Sequence, residues 1–288
     1  MTPLLPWSVG PSLPFSAPPC VVNVATGSAA MTIEQDDDLV RLRVIGRIVA
    51  NCLHVMARSM EVGMTTRELD AIGRRFLDDN GAESAPQHCY DFPGATCISV
   101  NECVAHGIPD DRALRAGDLV NIDVSAVKDG VFADTGASFV VGESNGHQRH
   151  VCQATHEALQ RAMSAVRAGR PLNVVGKQIE TVAKKHKLGI VKNLCSHGVG
   201  SWIHEEPESI LPYASRRERR RLHKGLVMTI EPFLTTGKAH VDEADDGWSL
   251  MQPPGTLTAQ YEHTMVIRDG RPLVVTIPDE AVAFPFAA

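Results

Sequence analysis

Residues 119–140 read LVNIDVSAVKDGVFADTGASFV, two alternating apolar runs on either side of Lys128-Asp129-Gly130. Asp-Gly between two such runs is a strong signal for a two-residue β-hairpin loop. Each run also contains a carboxylate, Asp123 in the first and Asp134 in the second. The segment therefore predicts two antiparallel strands, each with an acidic side chain near its middle.

The register of this hairpin depends on which two residues form the loop. A loop at Asp129-Gly130 places Ser125 opposite Asp134, with Asp123 diagonal to Asp134, whereas a loop at Lys128-Asp129 places the two aspartates directly opposite each other. Either register leaves both carboxylates on one face, roughly 5–8 Å apart at Cβ. A three-residue loop would put them on opposite faces. The alternative interpretation, two unrelated strand acids, stays open on the hairpin alone.

Three further acid or imidazole side chains lie in segments that read as strands or strand ends: His197 in CSHGVG, Glu231 in MTIEPF and Glu262 in AQYEHT. Carboxylates in apolar strands are costly to bury unless something pairs them. Two divalent cations would balance the charge of the four carboxylates, and an oxygen-rich set with one imidazole suits Mn, Fe(II) or Co, and Zn less selectively. We therefore predict a site for two divalent metal ions, with these ligands: Asp123, Asp134, His197, Glu231 and Glu262.

Length and composition allow one globular domain and argue against some classes of protein. A chain of 288 residues can bury a full core, and 43% hydrophobic residues is ordinary for a globular protein. A net charge of −6 gives no reason to expect nucleic acid or an anionic membrane as the main partner. The seven cysteines are an odd number without a C-x-x-C pair. We therefore expect free thiols, a reducing cytoplasmic location and no membrane partner.

Helical and extended patterns alternate after residue 35. Asp36–Asp38 are placed to cap a helix with an apolar face, and Thr65-Thr66-Arg67-Glu68 reads as the capping box of a second helix that ends near Asn80-Gly81. The other predicted elements are strands near 96–105 and 119–140, helices near 147–167 and 172–187, and strands near 190–200, 226–235 and 259–268. Two helices followed by strands occur twice, which is compatible with two similar halves.

Six segments, in this order along the chain, resemble the type I methionine aminopeptidases: CVAHGIPDD, DVSAVKDGVFADT, SHGVG, IHEEP, MTIEP and AQYEHT. The resemblance runs from about Asp38 to about Ile277. It implies an α+β protein with the pita-bread fold, in which a curved antiparallel sheet with flanking helices forms two pseudo-twofold halves around the metals. The segment between His204 and Glu231 leaves no room for the large insertion of the type II enzymes.

The resemblance also implies an activity, removal of N-terminal methionine from nascent proteins and peptides with a small second residue. Asp134 and Glu262 would bridge both metal ions, and Asp123 would complete the shell of one. His197 and Glu231 would complete the shell of the other, with Glu231 also accepting a proton from the attacking water.

Substrate contacts are implied in the same way. His106 in AHGIP and His204 in IHEEP match family residues that bind substrate and stabilise the tetrahedral intermediate. A pocket for the methionine side chain would be lined by four residues: Tyr90, Phe92, Cys97 and Trp248. Each of these four could equally be an ordinary core residue.

Three residues depart from the family pattern. Ile203 stands where the family usually has Phe, Ala105 where Cys is common, and Ser196 where Gly is usual. Ile203 removes a ring from the pocket, and Ser196 adds bulk beside a metal ligand. We therefore expect the metal site to be retained. If the protein differs from the family, we expect the difference to lie in its catalytic rate or substrate preference.

The N-terminal segment has a different composition from the rest of the chain. It is rich in proline, and its first 30 residues contain no charged side chain. We interpret residues 1–35 as a flexible extension and residues 36–288 as the catalytic domain. P-x-x-P occurs twice in the extension, at Pro3–Pro6 and Pro11–Pro14, and could dock a partner with an SH3-type groove. A disordered arm, or a start-site extension before Met31, would explain the same composition.

The run RRERRRLHK at residues 216–224 is basic on an acidic protein. A solvated helix or loop face explains this run. The alternative is a contact with ribosomal RNA, whose affinity would depend strongly on the salt concentration. Two other functions remain open for the whole chain. One is an exopeptidase of the same fold with low activity or altered specificity, such as an X-Pro enzyme, and the other is a binding protein that has lost catalysis.

Overall fold

The computed structural model describes residues 30–280 and Phe284, where the chain forms five helices and fifteen strands. The helices are α1 (Asp36–Ser59), α2 (Thr66–Asp79), α3 (Ala85–Tyr90), α4 (Gly146–Ala165) and α5 (Val174–His186). The strands are β1 (Glu83–Ser84), β2 (Cys97–Val100), β3 (Cys103–Ala105), β4 (Leu119–Lys128), β5 (Val131–Val140), β6 (Gly189–Ile190), β7 (Ser196–Gly198), β8 (Glu205–Ile210), β9 (Val227–Ile230), β10 (Phe233–Thr235), β11 (Asp242–Glu243), β12 (Leu250–Met251), β13 (Thr258–Gln260), β14 (His263–Val266) and β15 (Leu273–Val274). Both P-x-x-P segments lie outside the described residues.

The predicted hairpin is formed by β4 and β5. Ser125 pairs with Asp134, and the loop consists of Asp129 and Gly130, with φ angles of 51° and 73°. Positive φ at both loop residues is what a type I′ turn requires, and this turn matches the twist of the strands. The first of the two predicted registers is therefore confirmed, and Asp123 lies diagonal to Asp134 on the same face.

A second long antiparallel pair supplies the other two carboxylates. β9 pairs with β14, and β10 pairs with β13. The two ladders keep the same register, and a short interruption without ladder pairing separates them. Because Ile230 pairs with His263 and Phe233 pairs with Gln260, the interruption sets Glu231 across from Glu262. The residue after Glu231 is a proline, which has no N–H to donate to the ladder.

The two strand pairs meet at the centre of the domain. A bridge joins Ala137 to Tyr261, and the Glu262 N–H donates to the Gly136 carbonyl at 2.8 Å. Thr264 Oγ1 accepts from the Asp134 N–H at 3.0 Å and donates to the Asp134 carbonyl at 2.7 Å. These contacts bring the acidic side chains of the two strand pairs together.

Helices pack behind each strand pair, which agrees with two similar halves. α1 packs on β4 and β5, while α4 packs on β9, β10 and β13 and also against α5. The predicted apolar face of α1 is confirmed, since all five of its members are buried: Leu42, Ile45, Val49, Cys52 and Met56.

The helix starts differ from each other in how they are capped. The predicted capping box of α2 is confirmed, because Thr65 accepts from the Glu68 N–H and Glu68 accepts from the Thr65 N–H. The predicted cap of α1 is wrong. Gln35 precedes the helix without a side-chain cap, and Asp36–Asp38 form the first turn, where their charge is favourable at the positive end of the helix dipole.

The first described residues pack on the domain. The Ile33 N–H donates to the Gly225 carbonyl at 2.8 Å, and the Val227 N–H donates to the Met31 carbonyl at 3.2 Å. The Met31 side chain is buried. Residues 31–33, which we assigned to the extension, therefore contact the catalytic domain, and the boundary at residue 35 stays a prediction.

The cysteines are not all free thiols. Cys195 is disulfide-bonded, whereas free thiols are found at Cys52, Cys89, Cys97, Cys103 and Cys152. The prediction of free thiols is wrong at Cys195, because the order of cysteines along a chain does not report which of them meet in space. Among the described helices, none combines the length and apolar character needed to span a bilayer.

Candidate active site

A cavity of about 380 Å³ opens where the two strand pairs meet. All but one of the residues predicted for the site line it: Tyr90, Phe92, Cys97, His106, Asp123, Asp134, His197, His204, Glu231 and Trp248. The exception, Glu262, is buried beside the cavity with a ligand atom close to those of Asp134 and His197. The fold therefore collects residues from distant parts of the chain around one cavity.

The five predicted metal ligands are neighbours. Ligand atoms of Asp134, His197 and Glu262 all lie within 4.8 Å of one another. His197 Nε2 is 3.3 Å from Glu231 Oε1 and 3.9 Å from Asp134 Oδ2. Asp123 shares a side-chain hydrogen bond with Asp134. The predicted set is thus assembled as a cluster of four carboxylates around one imidazole.

The environment of these atoms fits a divalent cation. Within the described residues, no hydrogen-bond donor reaches the buried Asp134 Oδ1 or Glu262 Oε1. His197 Nδ1 bonds to the Gly198 carbonyl at 3.0 Å and must donate the proton, which leaves a lone pair on Nε2. Burial lowers the pKa of His197 to about 4, so the ring is neutral and that lone pair faces carboxylate oxygens. A cation between them would turn this repulsion into coordination.

The pKa values of all four ligand carboxyl groups are raised. Burial raises the pKa of Asp123 to about 6. Burial, and then the charge of neighbouring carboxylates, also raises the pKa values of Asp134, Glu231 and Glu262. Four such groups cannot all ionise together without compensating positive charge. The cluster is therefore suited to binding cations and poorly suited to a purely structural role.

Two polar side chains orient the ligand carboxylates. Thr229 Oγ1 donates to Glu231 Oε1 at 3.3 Å and accepts from the His197 N–H at 3.2 Å. Gln260 Nε2 donates to Glu262 Oε2 at 3.0 Å. Hydrogen bonds of this kind fix the direction of ligand lone pairs.

Sequence reasoning missed these supporting residues, although a signal for them exists. Asn121 Nδ2 donates to Gln260 Oε1 at 2.8 Å, which extends the support to the first strand pair. Asn121, Thr229 and Gln260 each stand two residues before a ligand carboxylate. Residues two apart in a strand share a face, so a polar residue at that spacing could have been identified as a supporting group.

Two neutral histidines line the cavity beside the ligands. Burial lowers the pKa of His106 to about 4, and burial together with the nearby His197 and His106 lowers the pKa of His204. The rings of His204 and His197 lie 4.3 Å apart at their centroids. His106 has a φ of 54°, an uncommon backbone conformation for a residue other than glycine. Both rings line the cavity, and their contacts with substrate stay a prediction.

The four residues predicted for a methionine pocket line the cavity, and their role as a pocket stays a prediction. Phe92 and Trp248 meet edge to face with ring centroids 5.1 Å apart. Burial raises the pKa of Cys97 well above its usual value, so this residue presents a neutral thiol. Ile203 and Ala105, two of the departures from the family pattern, also line the cavity. The apolar surface is suited to an unbranched side chain such as that of methionine.

Comparison with known proteins agrees with this geometry. The sequence profile of metallopeptidase family M24 matches residues 40–269. The chain is 42% identical over 247 residues to methionine aminopeptidase 2 of Bacillus subtilis, an alignment that covers 85% of this chain and 99% of that protein. The crystal structure of methionine aminopeptidase from Rickettsia prowazekii matches with a TM-score of 0.82 at 31% identity, over 86% of this chain and 100% of that one.

A prolidase shares the architecture more distantly. The enzyme from Pyrococcus furiosus matches with a TM-score of 0.69 at 22% identity, over 87% of this chain and 66% of that one. The fold common to these structures is the expected pita-bread fold, which is therefore confirmed. With its profile matched over most of its length and a full-length relative at 42% identity, the chain belongs to metallopeptidase family M24.

Proposed function

We propose that this protein is a methionine aminopeptidase that removes the N-terminal methionine from peptides and nascent proteins with a small second residue. The observation that carries the proposal is the cavity in which four carboxylates and His197 adjoin an apolar pocket. The relatives from B. subtilis and R. prowazekii, both methionine aminopeptidases, support it because each matches over nearly its whole length.

We assign the metal ligands as follows. Asp134 and Glu262 would hold both of two divalent ions, Asp123 would hold one of them, and His197 and Glu231 would hold the other. The ions, Co, Mn, Fe(II) or Zn, would supply a Lewis acid for the scissile carbonyl and acidify a water. Support comes from the unsatisfied oxygens of Asp134 and Glu262 and from the charge of the cluster, which two divalent ions would balance.

The remaining catalytic and binding roles are assigned to side chains that line the cavity. Glu231 accepts the proton of the attacking water, since it lies in the cavity at the edge of the ligand cluster. His106 and His204, as neutral imidazoles, donate an N–H to the carbonyl oxygen on which negative charge develops. Phe92, Cys97 and Trp248 surround the methionine side chain and exclude water from it.

The proposed substrate suggests where the protein works and what it contacts. Nascent chains arise in the cytoplasm, and we place the protein there. Arg216, Arg217 and Arg219 are exposed in the basic run, which is a loop with no regular secondary structure over these residues. They favour a contact with ribosomal RNA, whereas Arg220 is paired with Glu218 at 2.6 Å. A partner with an SH3-type groove for the Pro-rich extension stays a prediction.

Peptide hydrolysis with defined metals tests the proposal. Metal-free protein would be supplied with Mn, Fe(II), Co or Zn in turn and offered Met-Ala-X and Met-Gly-X peptides. We expect release of methionine with at least one metal and no release from Leu-Ala-X. Cleavage restricted to Ala-Pro-X would favour an X-Pro enzyme, and the absence of any cleavage would favour a binding protein. Either result would overturn the proposal.

A further inference from the structure

We infer that Tyr90 is a positioning residue, whose hydroxyl donates to His204 Nδ1 and so keeps the proton of that ring on Nε2, facing the cavity. The two atoms lie 2.7 Å apart, and the ring centroids are 5.7 Å apart. From the sequence we predicted that Tyr90 lines the methionine pocket. The contact with His204 gives the hydroxyl a different task.

A phenol hydroxyl can donate to an imidazole nitrogen or accept from its N–H, so the proposed direction, from Tyr90 to His204, is what fixes the tautomer. Burial raises the pKa of Tyr90, so its hydroxyl keeps a proton to donate. A neutral imidazole has a single N–H. When His204 Nδ1 accepts from Tyr90, that N–H must be on Nε2.

The tautomer matters because of what His204 is proposed to do. A donor aimed at the developing oxyanion stabilises the transition state, whereas a lone pair at the same position would repel it. Holding a catalytic imidazole in the correct tautomer is a known and large contribution of hydrogen-bonding partners. Tyr90 would therefore act on the reaction through His204, and this part of the inference rests on the proposed function.

The placement of the two residues explains why the contact is specific to the folded protein. Tyr90 is the last residue of α3, and the next residue, Asp91, adopts the left-handed conformation with a φ of 56°. His204 directly precedes β8, 114 residues further along the chain. The hydrogen bond thus joins the two halves across the cavity, where it also limits movement of the His204 ring.

The test compares Tyr90→Phe with the unmodified protein, because this change removes the hydroxyl and keeps the ring. Nitrogen-15 NMR of the histidine rings in the metal-free protein reports the tautomer directly, with the His204 signals assigned by their loss in His204→Ala. We expect the Nε2–H form of His204 in the unmodified protein and a mixture of tautomers in Tyr90→Phe. Tyr213→Phe, which alters a tyrosine outside the cavity, should leave the His204 signals unchanged.

Kinetics supply a second readout. With Met-Ala-X we expect Tyr90→Phe to lower kcat about 10-fold or more, with little change in KM. In a His204→Ala background, Tyr90→Phe should lower kcat no further, because its effect on the reaction is exerted through the His204 ring. An Nδ1–H tautomer in the unmodified protein, or equal losses in both backgrounds, would overturn the inference. An inactive but well-folded parent would refute the proposed function alone, because the NMR result would still decide the tautomer.

Discussion

The backbone N–H of Glu231 donates a hydrogen bond to Ser196 Oγ at 2.9 Å. Ser196 directly precedes His197, so its side chain links the segment of one metal ligand to the backbone of another. The family usually has glycine at this position, and we expected serine to add bulk beside the site. Serine instead supplies an acceptor for an N–H in the interrupted part of the strand ladder, and its own side chain is buried.

Ser196→Ala should therefore destabilise the protein. The change leaves the Glu231 N–H without this acceptor, which costs about 1–2 kcal/mol at a buried site. We expect a lower free energy of unfolding in urea and weaker metal binding by calorimetry. Ser196→Gly is the matched control, because it restores the usual family residue and lets the backbone adjust. An alanine variant as stable as the parent would show that water satisfies the Glu231 N–H.

Metal removal should make stability depend on pH through the ligand carboxyls. A carboxyl whose pKa is raised on folding stabilises the fold below its unfolded pKa and loses this contribution as the pH rises through the folded value. Burial raises the pKa of Asp123 to about 6. The metal-free protein should thus lose the Asp123 contribution as the pH rises from about 4 through 6.

Buried histidines with lowered pKa values make stability rise with pH, which is opposite to the effect of Asp123. The effect of Asp123 is therefore measured as the difference in melting temperature between the parent and a variant without this carboxyl group. We expect metal-free Asp123→Asn to gain in melting temperature relative to the parent as the pH rises through about 6. Excess Mn²⁺ should reverse the order at neutral pH, because only the parent retains the full ligand set. A difference that does not change with pH would contradict the raised pKa of Asp123.

Asp134→Asn and Glu262→Gln should each abolish peptide hydrolysis. Both residues are assigned to two ions at once, and their oxygens without hydrogen-bond partners are the atoms that a cation would contact. Metal analysis should show a reduced metal content in both variants. Asp129→Asn is a matched control in the same hairpin, since asparagine tolerates the left-handed conformation of that exposed loop residue. Full activity of either ligand variant would refute the assignment.

His106→Asn should keep its metal and lose turnover. Asparagine is the better replacement than alanine, because it tolerates the left-handed backbone conformation at this position. Loss of an acid–base or oxyanion group should lower kcat about 10²–10⁴-fold. Metal content and melting temperature should remain close to those of the parent. A variant that loses its metal would show that His106 belongs to the metal site.

A chain that begins at Met31 should fold and cleave short methionine peptides at nearly the full-length rate. Met31 N lies 2.5 Å from Oε1 of the buried Glu205, so a new terminal ammonium group would meet a carboxylate. A chain that begins at Asp36 lacks this contact and the hydrogen bonds of residues 31–33. Its melting temperature should be lower. Equal melting temperatures for the two shortened chains would show that these contacts contribute little.

Several features were determined by the sequence itself. The β4–β5 hairpin follows from alternating apolar residues around Asp129-Gly130, and the α2 helix start follows from the Thr65–Glu68 capping box. The apolar face of α1 follows from residues at helical spacing. These features were predictable because the interacting groups are neighbours along the chain. The order of the recognisable segments also indicated the family and its ligand residues.

Only the tertiary structure decided the contacts between distant segments. It set Glu231 across from Glu262, gave the Glu231 N–H to Ser196, and joined Tyr90 to His204. Each of these contacts depends on how strands from separate parts of the chain align and where a ladder is interrupted. Local patterns specify which face of a strand is polar. Packing of the two halves specifies which partner that face meets.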